Sequence, residues 1–105
     1  MSGVLVTVLY PSTPNAKFDL EYYKAKHMPL VVSKWGKYGL KEYYVADLRG
    51  APGPYIIQCT MVFDSGIESF QAAVKEEGAE VMGDLVNFSS EQPIILSGGV
   101  VHALN

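Results

Sequence analysis

Four runs of apolar and β-branched residues, bounded by turn-forming residues, predict four β-strands. Val4–Tyr10 is rich in β-branched residues and is followed by Pro11, a residue that cannot donate to a sheet and therefore marks a strand end. Leu40–Leu48 and Tyr55–Phe63 flank a turn that is rich in glycine and proline. Ile94–Val101 is the fourth predicted strand.

Two helical regions are predicted between these strands. In the first, Asp19 is a suitable N-cap, and Phe18 and Tyr23 stand at the spacing of a hydrophobic staple. Pro29 removes a backbone donor and crowds the preceding turn, so an end or a kink is expected there. The helix is then expected to continue and to stop at Gly39.

The second helical region is expected to open with a capping box at Ser65–Glu68. Apolar residues at helical spacing mark its buried side: Ile67, Phe70, Ala73 and Val74. Gly78 is expected to interrupt this helix, and Ala79–Val86 to form a further helical segment.

The element order β-α-β-β-α-β predicts an α+β fold of the ferredoxin-like type with an antiparallel sheet. Such a sheet normally has one polar face. Here both faces of the first strand are apolar, with Val6 and Val8 on one side and Leu5 and Leu9 on the other. A sheet that is apolar on both sides needs a second cover, and an identical sheet from another copy is the simplest one. The pattern therefore predicts a homodimer.

Composition narrows the function classes. The 105 residues are predicted to form one domain. The eight basic residues are scattered in a chain of net charge −3, which gives no reason to expect nucleic-acid binding.

No apolar run reaches the roughly 20 residues of a membrane helix, and no secretory signal is evident. A single cysteine, Cys59, allows no intrachain disulfide and is interpreted as a buried, inert thiol. A cytoplasmic location is predicted.

His27 is the best candidate for a catalytic residue. It is four residues after Tyr23, on the same helix face, and just before the break expected at Pro29. A histidine at such a position can reach a pocket and move a proton near neutral pH. The competing interpretation is a structural histidine that donates to a backbone carbonyl near the kink. The sequence leaves both open.

Three aromatic residues are candidates for substrate binding. Tyr23 shares the face of His27, Tyr10 ends the first strand, and Trp35 lies eight residues beyond His27. Core packing is the alternative role for Trp35, and an ordinary strand-end tyrosine is the alternative for Tyr10. No spacing of histidine, aspartate or glutamate predicts a metal site, and no glycine pattern predicts a phosphate-binding loop.

The chain also resembles a known family. Tyr10-Pro11, Phe18-Asp19 and the run Tyr22–Leu30 are similar to the signature of the EthD family, and Asn87–Pro93 resembles the segment that leads those proteins into their last strand. The resemblance covers nearly the whole chain and identifies residues 1–105 as one EthD-like domain.

The resemblance implies a dimeric α/β barrel with a cavity between the helices and the sheet of each subunit. It also implies that His27 occupies the position most often suspected of function. Related barrels include cofactor-independent oxygenases, lactone isomerases, and decarboxylases or cyclases of phenolic polyketides. We therefore expect a small enzyme without a cofactor that acts on an apolar, aromatic or lactone-like molecule, as a monooxygenase, isomerase or decarboxylase. The alternative is a non-catalytic protein that binds a hydrophobic small molecule.

Overall fold

Four antiparallel strands form one sheet in the computed structural model, which describes residues 3–104. The strands are β1 (Val4–Pro11), β2 (Leu40–Asp47), β3 (Tyr55–Phe63) and β4 (Ile94–Gly99), and their order in the sheet is β2-β3-β1-β4. One helical region connects β1 to β2 and another connects β3 to β4. The predicted ferredoxin-like α+β fold is confirmed.

The first helical region contains four segments in direct succession. They are α1 (Leu20–Tyr22), a π-helix (Tyr23–His27), α2 (Met28–Trp35) and a 3₁₀-helix (Gly36–Tyr38). A π-helix is rare and occurs often at functional sites. Here it carries the histidine that the sequence singles out.

Both ends of this region form as predicted. The Asp19 carboxylate accepts a hydrogen bond of 3.0 Å from the backbone N–H of Tyr22, and the rings of Phe18 and Tyr23 lie 5.0 Å apart as a hydrophobic staple. Gly39 ends the region in the left-handed conformation, with a φ of 103°. A side chain would be strained in that conformation, which explains why glycine stops the helix there.

The irregularity expected at Pro29 takes the form of the π-helix that precedes it. The backbone N–H of Met28 donates to the carbonyl of Tyr23, five residues earlier. In an α-helix the proline ring would clash with the carbonyl four residues before it. The wider π turn relieves that crowding, and the helix then continues through Pro29 to Trp35.

The second helical region consists of α3 (Ile67–Gly83) and a 3₁₀-helix (Asp84–Asn87). The predicted capping box at Ser65–Glu68 is wrong. Gly66 is the N-cap and has no side chain that could make a capping bond, and the Ser65 hydroxyl donates to the carbonyl of Tyr38 at 2.9 Å. Ser65 therefore contacts the first helical region and does not cap α3.

The expected interruption of α3 falls one residue earlier than predicted. Glu77 has non-helical backbone angles, φ −129° and ψ 21°, whereas Gly78 remains within the helix. The carbonyl of Glu77 accepts a hydrogen bond of 3.3 Å from the indole N–H of Trp35. This contact ties the kink to the first helical region.

The sheet has two chemically different faces. Its inner face is covered by the helices and buries Val6 and Val8 of β1 with Ile57, Cys59 and Phe63 of β3. Its outer face, defined here by the residues that alternate with these, includes Leu5, Leu9, Ile94, Leu96, Val62 and Tyr44, with Thr7, Gln58 and Thr60 among them. The helices leave this outer face uncovered.

The most exposed apolar residues of the outer face lie at its two edges. Leu96 of β4 is 55% exposed and Tyr44 of β2 is 61% exposed.

None of the helices in the described part of the chain is long and apolar enough to cross a membrane.

Candidate functional site

A cavity of about 130 Å³ lies between the inner face of the sheet and the helices. The structure brings all four residues that the sequence singles out to its wall: His27, Tyr10, Tyr23 and Trp35. Tyr10 comes from β1, and the other three come from the first helical region.

Apolar side chains form most of the remaining wall. Residues of the inner sheet face and of α3 contribute to it: Val6, Val8, Met61, Phe70 and Val81. The cavity is most accessible where α3 approaches β4. There Met82 and Ile95 are lining residues that are 41% and 42% exposed, and Gln92 and Pro93 of the preceding loop lie beside them. These four residues define the mouth of the cavity.

His27 is held by a carboxylate that the sequence analysis did not identify. Its Nδ1 lies 2.9 Å from Oδ2 of Asp84, the first residue of the 3₁₀-helix that follows α3. The side chain of His27 is 7% exposed, and that of Asp84 is 12% exposed. The structural alternative for His27 has a backbone carbonyl as the acceptor, whereas the acceptor at Nδ1 is a carboxylate. The ring binds a buried side chain from the other helical region.

Aromatic rings surround the imidazole. The ring of Tyr23 is stacked against that of His27 at 5.2 Å with an interplanar angle of 19°, and the ring of Phe88 approaches it to 4.4 Å. Burial in this apolar surrounding lowers the pKa of His27, and the hydrogen bond and charge of Asp84 only partly oppose that effect. His27 is therefore neutral at neutral pH.

Asp84 remains ionised beside the neutral imidazole. Its partial burial favours the protonated acid, but hydrogen bonds from Asn87, Tyr22 and His27 outweigh this and lower the pKa of the carboxyl. Because an ionised carboxylate can only accept, Nδ1 of His27 is the donor in their contact. The unprotonated Nε2 is then the nitrogen that can accept a proton from a molecule in the cavity.

Tyr10, Tyr23 and Cys59 supply the other titratable groups of the cavity wall. Burial raises the pKa of both tyrosines, so that their hydroxyls stay neutral and can donate hydrogen bonds. Burial also raises the pKa of the Cys59 thiol to about 11, with Tyr23 opposing the shift by hydrogen bonding. The interpretation of Cys59 as an inert thiol agrees with this environment.

Trp35 combines the two roles considered for it. Its ring lines the cavity, and it also packs against Phe63 and Phe70 at centroid distances of 6.3 and 5.9 Å. Its indole N–H is occupied by the carbonyl of Glu77. Trp35 can therefore offer a molecule in the cavity an apolar surface but no free donor.

The lowered pKa of His27 predicts a loss of stability in acid. The unfolded chain binds a proton at this residue below the ordinary pKa of 6.5, whereas the folded chain does so only at a lower pH. The free energy of unfolding is thus fully maintained above that value and falls as the pH drops toward the folded-state pKa. Urea unfolding measured between neutral pH and mild acid should show this decrease.

Two substitutions test the assignment of this pH dependence. His27→Gln is expected to remove the decrease, and His102→Gln, at an exposed histidine, to retain it. The other groups facing the imidazole do not titrate in this range, since the pKa is lowered for Asp84 and raised for Tyr22, Tyr23 and Cys59. An unchanged decrease in His27→Gln would contradict the prediction.

Sequence reasoning missed Asp84 and Phe88 as parts of the site. Asp84 is one of 11 acidic residues and is 57 residues from His27, so that no local spacing marks it. Phe88 lies within the segment that resembles the EthD pattern before the last strand, which is the one signal that could have pointed to it. Within residues 3–104, no group of three or more histidine, cysteine, aspartate or glutamate side chains is placed to hold a metal ion.

Comparisons with known proteins identify related folds. No protein-family model matches the chain, and no curated protein does either. Among solved structures, an EthD-like protein from Ralstonia eutropha JMP134 is 34% identical and superposes with a TM-score of 0.84, over 97% of this chain and 95% of the other. An ethyl tert-butyl ether D (EthD) family protein from Bacillus halodurans C-125 is 25% identical, with a TM-score of 0.68 over 93% and 97% of the two chains.

A more distant structure shares only the fold. SnoaB, a cofactor-independent oxygenase from Streptomyces nogalater, is 10% identical and has a TM-score of 0.65 over 98% of this chain and 96% of its own. The first relative is similar enough in sequence, over nearly the full length of both chains, to decide the family. The chain belongs to the EthD family.

Proposed function

We propose that this protein is a small cofactor-independent enzyme in which His27 is the general acid/base. The observation that carries the proposal is a neutral imidazole, buried in an apolar cavity, with Nδ1 bonded to a carboxylate and Nε2 left as a proton acceptor. A histidine that is neutral at working pH is ready to take a proton. Burial of the His27 imidazole does not by itself require a carboxylate as partner, whereas proton transfer to the imidazole benefits from one.

The dimensions of the cavity indicate the class of substrate. An apolar cavity of roughly 150 Å³ binds benzene, and the cavity beside His27 measures about 130 Å³. A compound with one aromatic or lactone ring therefore fits. A dinucleotide beside such a substrate does not fit, which supports chemistry without an organic cofactor.

Proton transfer is the step that the candidate reactions share. A substrate anion formed by proton loss to His27 can be protonated again at another carbon, as in an isomerisation, or can react with O₂, as in cofactor-independent oxygenation. A decarboxylation needs a proton donor at the carbon that loses CO₂. Tyr10, as a neutral hydroxyl donor in the wall, would stabilise charge on a substrate oxygen. The Tyr23 hydroxyl already bonds to Tyr10 and Cys59, so that Tyr23 would contribute its ring to substrate binding, and Trp35 would hold the substrate ring.

The similarity to SnoaB, a cofactor-independent oxygenase, favours oxygenation among these reactions, at the level of fold alone.

The proposed enzyme function is tested with a panel of one-ring phenols, enolisable ketones and lactones. Binding is measured by thermal shift and calorimetry, and turnover by product analysis with and without O₂. Turnover that requires O₂ supports a monooxygenase, and anaerobic turnover supports an isomerase or decarboxylase. Binding without turnover under all these conditions would favour the alternative, a non-catalytic binding protein for hydrophobic small molecules.

We also propose that the outer face of the sheet forms a homodimer interface. Its apolar residues at β4, Leu96 and Ile94, are 55% and 41% exposed, and Leu5 of β1 is 42% exposed. An apolar patch that spans neighbouring strands is typical of an interaction site. Two similar folds are described as dimeric ferredoxin-like proteins. A second copy presents the same surface and covers the patch by two-fold symmetry.

A further inference from the structure

Asp84 accepts hydrogen bonds at both of its carboxylate oxygens. Oδ2 lies 2.9 Å from Nδ1 of His27. Oδ1 accepts from the hydroxyl of Tyr22 at 2.7 Å and from the amide nitrogen of Asn87 at 2.9 Å. The second pair of bonds prevents the carboxylate from rotating away from the imidazole, so that the orientation of Asp84 is set by three donors.

We infer that Asp84 is a positioning residue that holds His27 in the tautomer with its proton on Nδ1, so that Nε2 is the base. The inference rests on the proposed function of His27. Asp84 does not line the cavity, and it therefore acts on a substrate only through the imidazole. A carboxylate in this position also stabilises the imidazolium that forms when Nε2 takes a proton.

The donors on the far side of Asp84 make Asp84→Asn a sharp test. An amide has one accepting oxygen and one donating nitrogen. If the oxygen of the introduced amide stays with Tyr22 and Asn87, it satisfies both donors, whereas the reverse orientation sets two NH₂ groups against each other. The substitution should therefore turn the amide NH₂ toward His27. That NH₂ can donate only to an unprotonated Nδ1, and the imidazole proton moves to Nε2.

The tautomer can be measured without a substrate. The chain has only two histidines, and long-range ¹H–¹⁵N correlation spectra distinguish protonated from unprotonated ring nitrogens. His102→Gln assigns the signals by removing those of the exposed histidine. In the wild type at neutral pH, His27 is expected to be protonated at Nδ1 and unprotonated at Nε2. In Asp84→Asn the two nitrogens are expected to exchange roles.

Once a substrate has been found, the effect of Asp84→Asn on the reaction rate can be measured. Asp84→Asn is expected to lower kcat by about 10²–10⁴-fold, because the wrong tautomer cannot accept the proton, while KM changes little. The control is Glu80→Gln, which makes the same change of acid to amide at an exposed residue of α3 that is paired with Lys34. It should leave both the tautomer and kcat unchanged.

The outcomes separate the two proposals. A wild-type His27 protonated at Nε2, or an unchanged tautomer in folded Asp84→Asn, overturns the role of Asp84. An exchanged tautomer with undiminished kcat overturns it as well. An exchanged tautomer in a protein for which no reaction is found supports the positioning role and counts against the enzyme function. If Asp84→Asn does not fold, the wild-type spectrum still decides whether Nδ1 carries the proton.

Discussion

His27→Gln is expected to lower kcat/KM by about 10²–10⁴-fold, the usual contribution of a general acid/base. Glutamine is similar in size, carries no group that titrates, and can still donate a hydrogen bond to Asp84. The cavity therefore keeps its shape, and binding of a one-ring compound should remain within a few-fold of the wild type. The measurement is steady-state kinetics together with calorimetry on the same ligand.

Comparison with His102→Gln controls for the loss of a histidine as such, because that residue is exposed and lies outside the cavity. Its activity should equal that of the wild type. If His27→Gln turns over substrate at the full rate, then His27 has no part in the mechanism. If it loses both binding and folding, circular dichroism will reveal a structural histidine instead.

Leu96→Glu is expected to convert the proposed dimer into a monomer. Leu96 lies on the outer face of β4 opposite Thr7 of β1 and is 55% exposed in the single chain. By two-fold symmetry the substitution enters the interface twice, and a buried unpaired charge costs several kcal/mol. The dissociation constant should therefore rise by about 10³-fold or more. Sedimentation velocity over a range of concentrations measures it.

The control for this prediction is Val86→Glu, which places the same charge at an apolar residue that is 81% exposed on the helical side. Val86→Glu should sediment as the wild type does. Circular dichroism establishes that Leu96→Glu remains folded. A wild type that is monomeric at every concentration, or a Leu96→Glu variant that stays dimeric, would show that the outer face is not the interface.

The parts of the fold that were correctly predicted depend on neighbours in sequence. The alternation in β1 and β3, the cap at Asp19 and the left-handed stop at Gly39 are each decided within a few residues. The backbone at those positions has one favourable conformation, which the residue types indicate. The element order then limits the topology to few arrangements, and the ferredoxin-like sheet is among them.

The error at the start of α3 arose from a local signal that the structure does not use. Ser65 has the spacing of a capping box, but its hydroxyl is used by the carbonyl of Tyr38. Pro29 has the local signature of a helix irregularity, and the π-helix that precedes it is the form that this irregularity takes.

Residue types indicate which side chains have suitable chemistry, and their spacing places His27 and Tyr23 on a common helix face because four residues make about one helical turn. Only the tertiary structure brought Tyr10 and Trp35 to the same cavity wall and set Asp84 against the imidazole. That contact joins residues that are 57 positions apart. It depends on how two helical regions pack on one sheet, which no short spacing encodes.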